Sequence, residues 1–128
     1  MSKQLLLIEP DRVLGAIYAR ALEQAGFEVI AAQNAEQAIY AADSVTPDSI
    51  IMEWEMPGHN GSAFLYEMRS HADWSEIPVI VHTRLQAESL AKFEGALAQL
   101  GVVEVLYKST HRLQTLINRV NEHLPVAV

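Results

Sequence analysis

Apolar residues along this chain fall into short unbroken runs that alternate with longer stretches of helical spacing. Residues 5–8 are continuously apolar and end at Glu9, Pro10 and Asp11. Leu14, Ile17, Ala21 and Ala25 then share one helical stripe, which Gly26 closes. Residues 27–31 form a second short run. Asn34 to Gln37 have the spacing of a capping box and open a helix through Ala42. Residues 49–52 are a third strand, and Phe64, Leu65 and Met68 mark a third helix. A fourth strand covers residues 77–81, with Pro78 at its start, where a missing N–H is tolerated. Leu90, Phe93, Leu97 and Leu100 make the stripe of a fourth helix, closed by Gly101. Residues 102–107 are a fifth strand, and Leu113, Leu116, Ile117 and Val120 mark a fifth helix.

Five strands alternating with five helices predict a parallel sheet covered on both faces, with right-handed crossovers. The strands show little period-two alternation, as expected when both faces are buried. The smallest doubly wound α/β arrangement of this kind, (βα)5, has strand order 2-1-3-4-5. Its crevice lies beyond the carboxyl ends of strands 1 and 3, where the winding reverses. Glu9 and Glu53 stand at those two ends. The ends of strands 4 and 5 add Thr83 and Lys108. Topology alone therefore gathers two acids, a hydroxyl and a lysine at one edge.

Composition narrows the chemistry. The 128 residues suit one domain, read as residues 1–128 with a core over 4–122 and a short tail at 123–128. Half the residues are hydrophobic, enough for one core. A net charge of −7 repels phosphate backbones and argues against direct nucleic-acid binding. With no cysteine, there are no disulfides, thiolate metal sites or cysteine nucleophiles. The apolar run at residues 5–8 is too short for a signal peptide or a membrane span, so no membrane contact and a cytoplasmic location are expected. The five histidines, His59, His71, His82, His111 and His123, have no metal-ligand spacing on a clear shared face.

Four segments carry a family resemblance. "LLLIEPD", "PDSIIMEWEMPGHNG", "IPVIVHT" and "VLYKS" stand in order at suitable spacing, with the acids, the Met-Pro-Gly turn, the Thr and the Lys each in place. Over residues 5–120 the chain resembles the receiver domain of two-component response regulators, whose fold is flavodoxin-like. The resemblance implies that two N-terminal acids and an acceptor Asp hold Mg²⁺. It further implies that the Asp takes a phosphoryl group from a histidine kinase and that Thr and Lys bind the phosphoryl oxygens. The corresponding residues are Glu9 and Pro10, Glu53, Thr83 and Lys108.

Three departures matter. The acceptor position is Glu53, whose carboxylate sits one methylene further out, and misplacement on the order of 1 Å costs roughly a hundredfold in rate. The second acidic position is Pro10, with Asp11 beside it, and Ser109 stands where a Pro usually follows the Lys. The expectation is a non-enzymatic, degenerate receiver in which Glu53 reaches toward Thr83 and Lys108. No cofactor is expected, and any Mg²⁺ binding, through Glu9, Asp11 and Glu53, is expected to be weak. Its partner would be a protein, either a sensor kinase or a downstream output protein or domain. Homodimerisation is expected to use the face of helix 4, strand 5 and helix 5. Lys108 should pair with Glu53. The family's aromatic switch position falls on Val105, and the nearby aromatic is Tyr107, so no tyrosine rotamer switch is expected. The runner-up is a receiver that still takes phosphate and Mg²⁺, with Asp11 supplying the missing acid. A flavodoxin-like cofactor protein would need a Ser/Thr/Gly-rich loop after strand 1, where Glu9, Pro10 and Asp11 stand instead. A small hydrolase lacks an evident nucleophile–base pair.

Overall fold

Leu5, Leu6, Leu7 and Ile8 are all buried, because the strand they form is covered on both sides. The computed structural model describes residues 3–124; residues 125–128 of the expected tail lie outside them. Strand β1 (Gln4–Ile8) is flanked by β2 (Glu28–Ala32) and β3 (Ser49–Met52), all parallel. After the hairpin strands β4 (Glu55–Met56) and β5 (His59–Asn60) come β6 (Val79–Thr83) and β7 (Val102–Tyr107). The main sheet has the order β2-β1-β3-β6-β7. Counting only its own strands, that order is 2-1-3-4-5, as the pattern requires.

Helices α1 (Arg12–Gln24) and α6 (Leu113–His123) cover one face of the sheet, where Leu22, Leu116 and Val120 join Leu5, Leu7, Ile51 and Ile80 in one core. Helices α2 (Ala35–Ser44) and α3 (Gly61–Arg69) cover the other, together with the short α4 (Ala87–Leu90) and α5 (Glu94–Gln99). Asn34 caps α2, accepting from the Gln37 N–H at 2.8 Å, and the Gln37 side chain accepts from the Gln33 N–H at 2.8 Å. The capping box thus closes one residue earlier than usual.

Four local expectations need correction. The α1 stripe does not face inward as written: Ile17 is half exposed, and the inner face runs through Tyr18, Ala19 and Leu22. The second strand starts one residue late, because the Phe27 N–H closes α1 by donating to the Leu22 carbonyl. The fourth strand starts at Val79 and runs on to Thr83. The fourth helix is broken into α4, a 3₁₀ turn over Ala91–Phe93, and α5. A 3₁₀ turn aligns residues three apart, which keeps Leu90 and Phe93 on the same side. The loop after β3 also contains a hairpin that was not anticipated. Pro57 followed by Gly58, with φ 76°, has the signature of a type II turn.

Candidate functional site

The carboxyl ends of β1, β3, β6 and β7 converge because the strands are parallel and in register. Backbone bonds fix the residues just beyond them. The Glu9 N–H donates to the Ala32 carbonyl, the Glu53 N–H to Ile8, and the Lys108 N–H to Thr83, at 2.9, 3.0 and 2.8 Å. Glu9, Glu53 and Thr83 are buried, at 5%, 3% and 0% exposure.

The Glu53 carboxylate is fully engaged. Its Oε2 accepts the Thr83 hydroxyl at 2.5 Å and the Glu55 N–H at 3.2 Å. Its Oε1 accepts the Arg84 N–H at 3.0 Å and Lys108 Nζ at 3.1 Å. Lys108 also donates to Glu9 Oε1 at 2.5 Å, so a single ammonium bridges the two buried acids. Lys108 further lies 5.8 Å from the Tyr18 ring centre, a cation–π contact. Glu9 Oε2 accepts the Asp11 N–H at 3.1 Å. Asp11 itself is exposed and caps α1, its Oδ1 accepting from Val13 and Leu14 at 2.9 and 3.0 Å.

The electrostatics follow from these partners. Burial pushes the Glu53 carboxyl up. The Thr83 hydroxyl, the Arg84 N–H and the Lys108 ammonium outweigh it, and the group sits below the usual carboxylate range. Burial lowers Lys108, but the bond to Glu9 and the two negative charges raise it above the ordinary lysine value. The like-charge repulsion that two crowded acids would suffer is thus relieved by the lysine between them. His82, one residue before Thr83, is buried edge-on against Tyr18, with ring centres 4.9 Å apart. Burial and the neighbouring Lys108 push it down to about 4, so it is neutral at neutral pH.

All four residues read from strand ends meet here, and the Lys108–Glu53 contact stands at ion-pair distance. Three participants escaped the sequence reading. The Arg84 and Glu55 N–H groups carry no side-chain signal. Tyr18 reaches the site only through the packing of α1 on the sheet, where its ring meets His82 of β6. Tyr107, not Val105, is the register neighbour of Thr83.

The residues do not fit a Mg²⁺ ion. A six-coordinate oxygen shell needs free carboxylate oxygens. Here Glu53 has four donors, Glu9 has Lys108 and Asp11 N–H, Pro10 has no carboxylate, and Asp11 caps a helix. Among the described residues, no three His, Asp or Glu side chains form a set able to hold a metal ion.

Trp54, just after Glu53, is buried with its indole N–H unpartnered. It tilts against Phe93 with ring centres 5.5 Å apart and leaves no room for a side chain at Gly61, where an added Cβ would lie 2.3 Å from Trp54 Cε3.

Comparison with known proteins places this geometry. Residues 5–121 match the family model of the response regulator receiver domain. The Regulator of RpoS of Escherichia coli strain K12 is 29% identical over 116 residues, which are 91% of this chain and 33% of that protein. The phosphate regulon transcriptional regulatory protein PhoB of the same strain is 26% identical over 83 residues, 65% of this chain and 36% of that protein. The chain spans about a third of the length of these curated relatives. The fold is shared with the chemotaxis protein CheY4 of Vibrio cholerae, with a TM-score of 0.87 and 20% identity over 97% of this chain and 100% of that one. Among the described residues no helix is long and apolar enough to cross a membrane.

Proposed function

The chain belongs to the response regulator receiver family, and on that premise we propose that it is a signalling module without Asp-type phosphotransfer, held by Glu53 in a phosphoryl-like arrangement. The observation that carries this reading is the placement of the Glu53 carboxylate. It takes the Thr83 hydroxyl and the Lys108 ammonium, the two groups to which the family resemblance assigns the phosphoryl oxygens. An aspartate would stop one methylene short of them. Phosphoryl transfer depends on positioning and charge neutralisation. Here the neutralising groups are already spent on the chain's own carboxylate.

The module acts through protein contacts and not as an enzyme. Its partner surface is the face of α4, α5, β7 and α6, where Arg119 ties Glu104 at 3.3 Å and Glu122 at 2.9 Å. That face serves a sensor kinase, an output domain or a second copy, in the cytoplasm, and its use is independent of the site's occupancy. The test is incubation with acetyl phosphate and Mg²⁺, read by intact mass. No phosphoryl adduct is expected. An adduct of one phosphoryl group on Glu53 or a neighbour, together with Asp11 leaving its cap, would restore the reading of a receiver with a working switch.

A further inference from the structure

The net charge of −7 is unevenly distributed. The stretch between Arg20 and Arg69 holds eight Asp and Glu residues and not one Lys or Arg. The rest of the chain has nine cations against eight acids. Within this segment Glu53 is neutralised by Lys108 and Glu55 is paired with Arg84, while Glu36, Asp43 and Glu67 are the exposed acids of α2 and α3. These helices lie side by side on the same face of the sheet. Glu36 and Asp43 on α2 and Glu67 on α3 line one shared hollow and are exposed. The one cation of α3, Arg69, points inward and donates to the carbonyls of Leu100, Trp74 and Ile77 at 2.9, 2.6 and 2.7 Å.

On this face stands Tyr40, 78% exposed. It forms a ridge between two hollows of about 570 and 430 Å³. One has Asn34, Gln37 and Ala41 in its wall; the other has Ile39, Asp43 and Glu67. Tyr66, next to Glu67, is 60% exposed. A large aromatic left in water beside concave, partly apolar surface is the composition of an interface anchor.

We propose that the α2–α3 face, centred on Tyr40, docks a basic amphipathic segment of a partner protein. Charge decides the occupant. A face carrying only negative charge repels nucleic acid and anionic lipid surfaces and attracts a cationic partner. Tyrosine rings add cation–π attraction for Arg and Lys. The two hollows beside Tyr40 take the partner's apolar side chains, while Glu36, Asp43 and Glu67 meet its cations. This surface is separate from the Glu53 site, and the proposal stands whether or not that site accepts phosphate.

The experiment uses the whole chain, ¹⁵N-labelled, titrated with an amphipathic helical peptide of Leu and Lys of about 14 residues, roughly four turns. A peptide with Glu in place of every Lys is the control. Saturable amide shifts confined to α2 and α3 are expected with the Lys peptide and none with the Glu peptide. Tyr40→Ala should weaken binding about tenfold, as loss of a central aromatic anchor does. The triple change Glu36→Gln, Asp43→Asn and Glu67→Gln should remove both the binding and its salt dependence. All four side chains are exposed, so far-UV circular dichroism will report unchanged folding. Shifts centred on α1 or on the Glu53 site would overturn the proposal, as would equal binding of the Glu peptide or no saturable binding. Unchanged affinity in Tyr40→Ala would reduce the effect to diffuse charge attraction and also overturn it. Concentration-dependent self-association through this face, against the exposed Arg12, Val13 and Arg20 of another copy's α1, would replace the foreign partner with a second copy.

Discussion

The Thr83 hydroxyl donates to Glu53 Oε2 at 2.5 Å, joining the ends of two adjacent parallel strands. The bond exists because the acid is glutamate. Shortening it to aspartate withdraws the carboxylate by about 1.5 Å, the length of one carbon–carbon bond. Glu53→Asp should therefore lose the Thr83 bond and cost about 1–2 kcal/mol, with the Thr83 hydroxyl and the Arg84 N–H left to find other partners. Thr83→Val should cost about 1–3 kcal/mol, because the Leu85 N–H, which donates to Thr83 Oγ1 at 3.1 Å, is orphaned as well. Urea unfolding of both variants reads these losses directly.

Lys108 stabilises two acids at once. Lys108→Met should cost about 3–5 kcal/mol, since Glu9 and Glu53 are left buried without a counter-charge. Adding Glu9→Gln to that variant should recover part of the loss. A double-mutant cycle in urea measures the recovery, and strict additivity would show that the pair does not interact.

The pH dependence should have two separable limbs. His82 has a folded value of about 4 against an ordinary 6.5, so between these values the unfolded chain binds its proton more readily. Stability should decline as pH falls from 6.5 toward 4, by about 2–3 kcal/mol in all, and His82→Phe should flatten that limb. Glu53 is lowered from 4.5, so its contribution is present above pH 4.5 and is lost as pH falls through its lower folded value. Glu53→Gln should flatten only this more acidic limb. Thermal unfolding across the pH range distinguishes the two.

Gly61 is bound to its identity by Trp54. A methyl group there would lie 2.3 Å from the indole of Trp54, the residue that directly follows Glu53. Gly61→Ala should cost about 1–3 kcal/mol through overpacking and should shift Trp54 emission toward that of an exposed indole.

Much of this was legible before any coordinates. Continuous apolar runs located the five main strands, and the strand order followed from their alternation with helices. Position at a strand end was enough to bring Glu9, Glu53, Thr83 and Lys108 together, because parallel strands in register deliver their last residues to one edge. What escaped depended on packing or on the backbone. The tighter partner of Lys108 is Glu9, a distinction of side-chain reach that spacing does not encode. The Arg84 N–H has no side-chain signature. Ile17 looked like core because helical periodicity fixes a stripe but not its rotation. In the fold the inward stripe of α1 runs through Tyr18, Ala19 and Leu22, which leaves Ile17 outside it. The break between α4 and α5 lies in a stretch whose apolar spacing suits a continuous helix equally well.

The central claim is that Glu53 and Pro10 together close this site to Mg²⁺ and phosphate. Trp54, buried next to Glu53, is the reporter, with Trp74→Phe removing the second indole. In that background, millimolar Mg²⁺ should leave the fluorescence of the native site unchanged. Pro10→Asp combined with Glu53→Asp should gain saturable quenching, and each change alone should gain less, because the ligands act together. Saturable Mg²⁺ quenching with Glu53 and Pro10 both in place would contradict the account and show that Asp11 already completes a metal site.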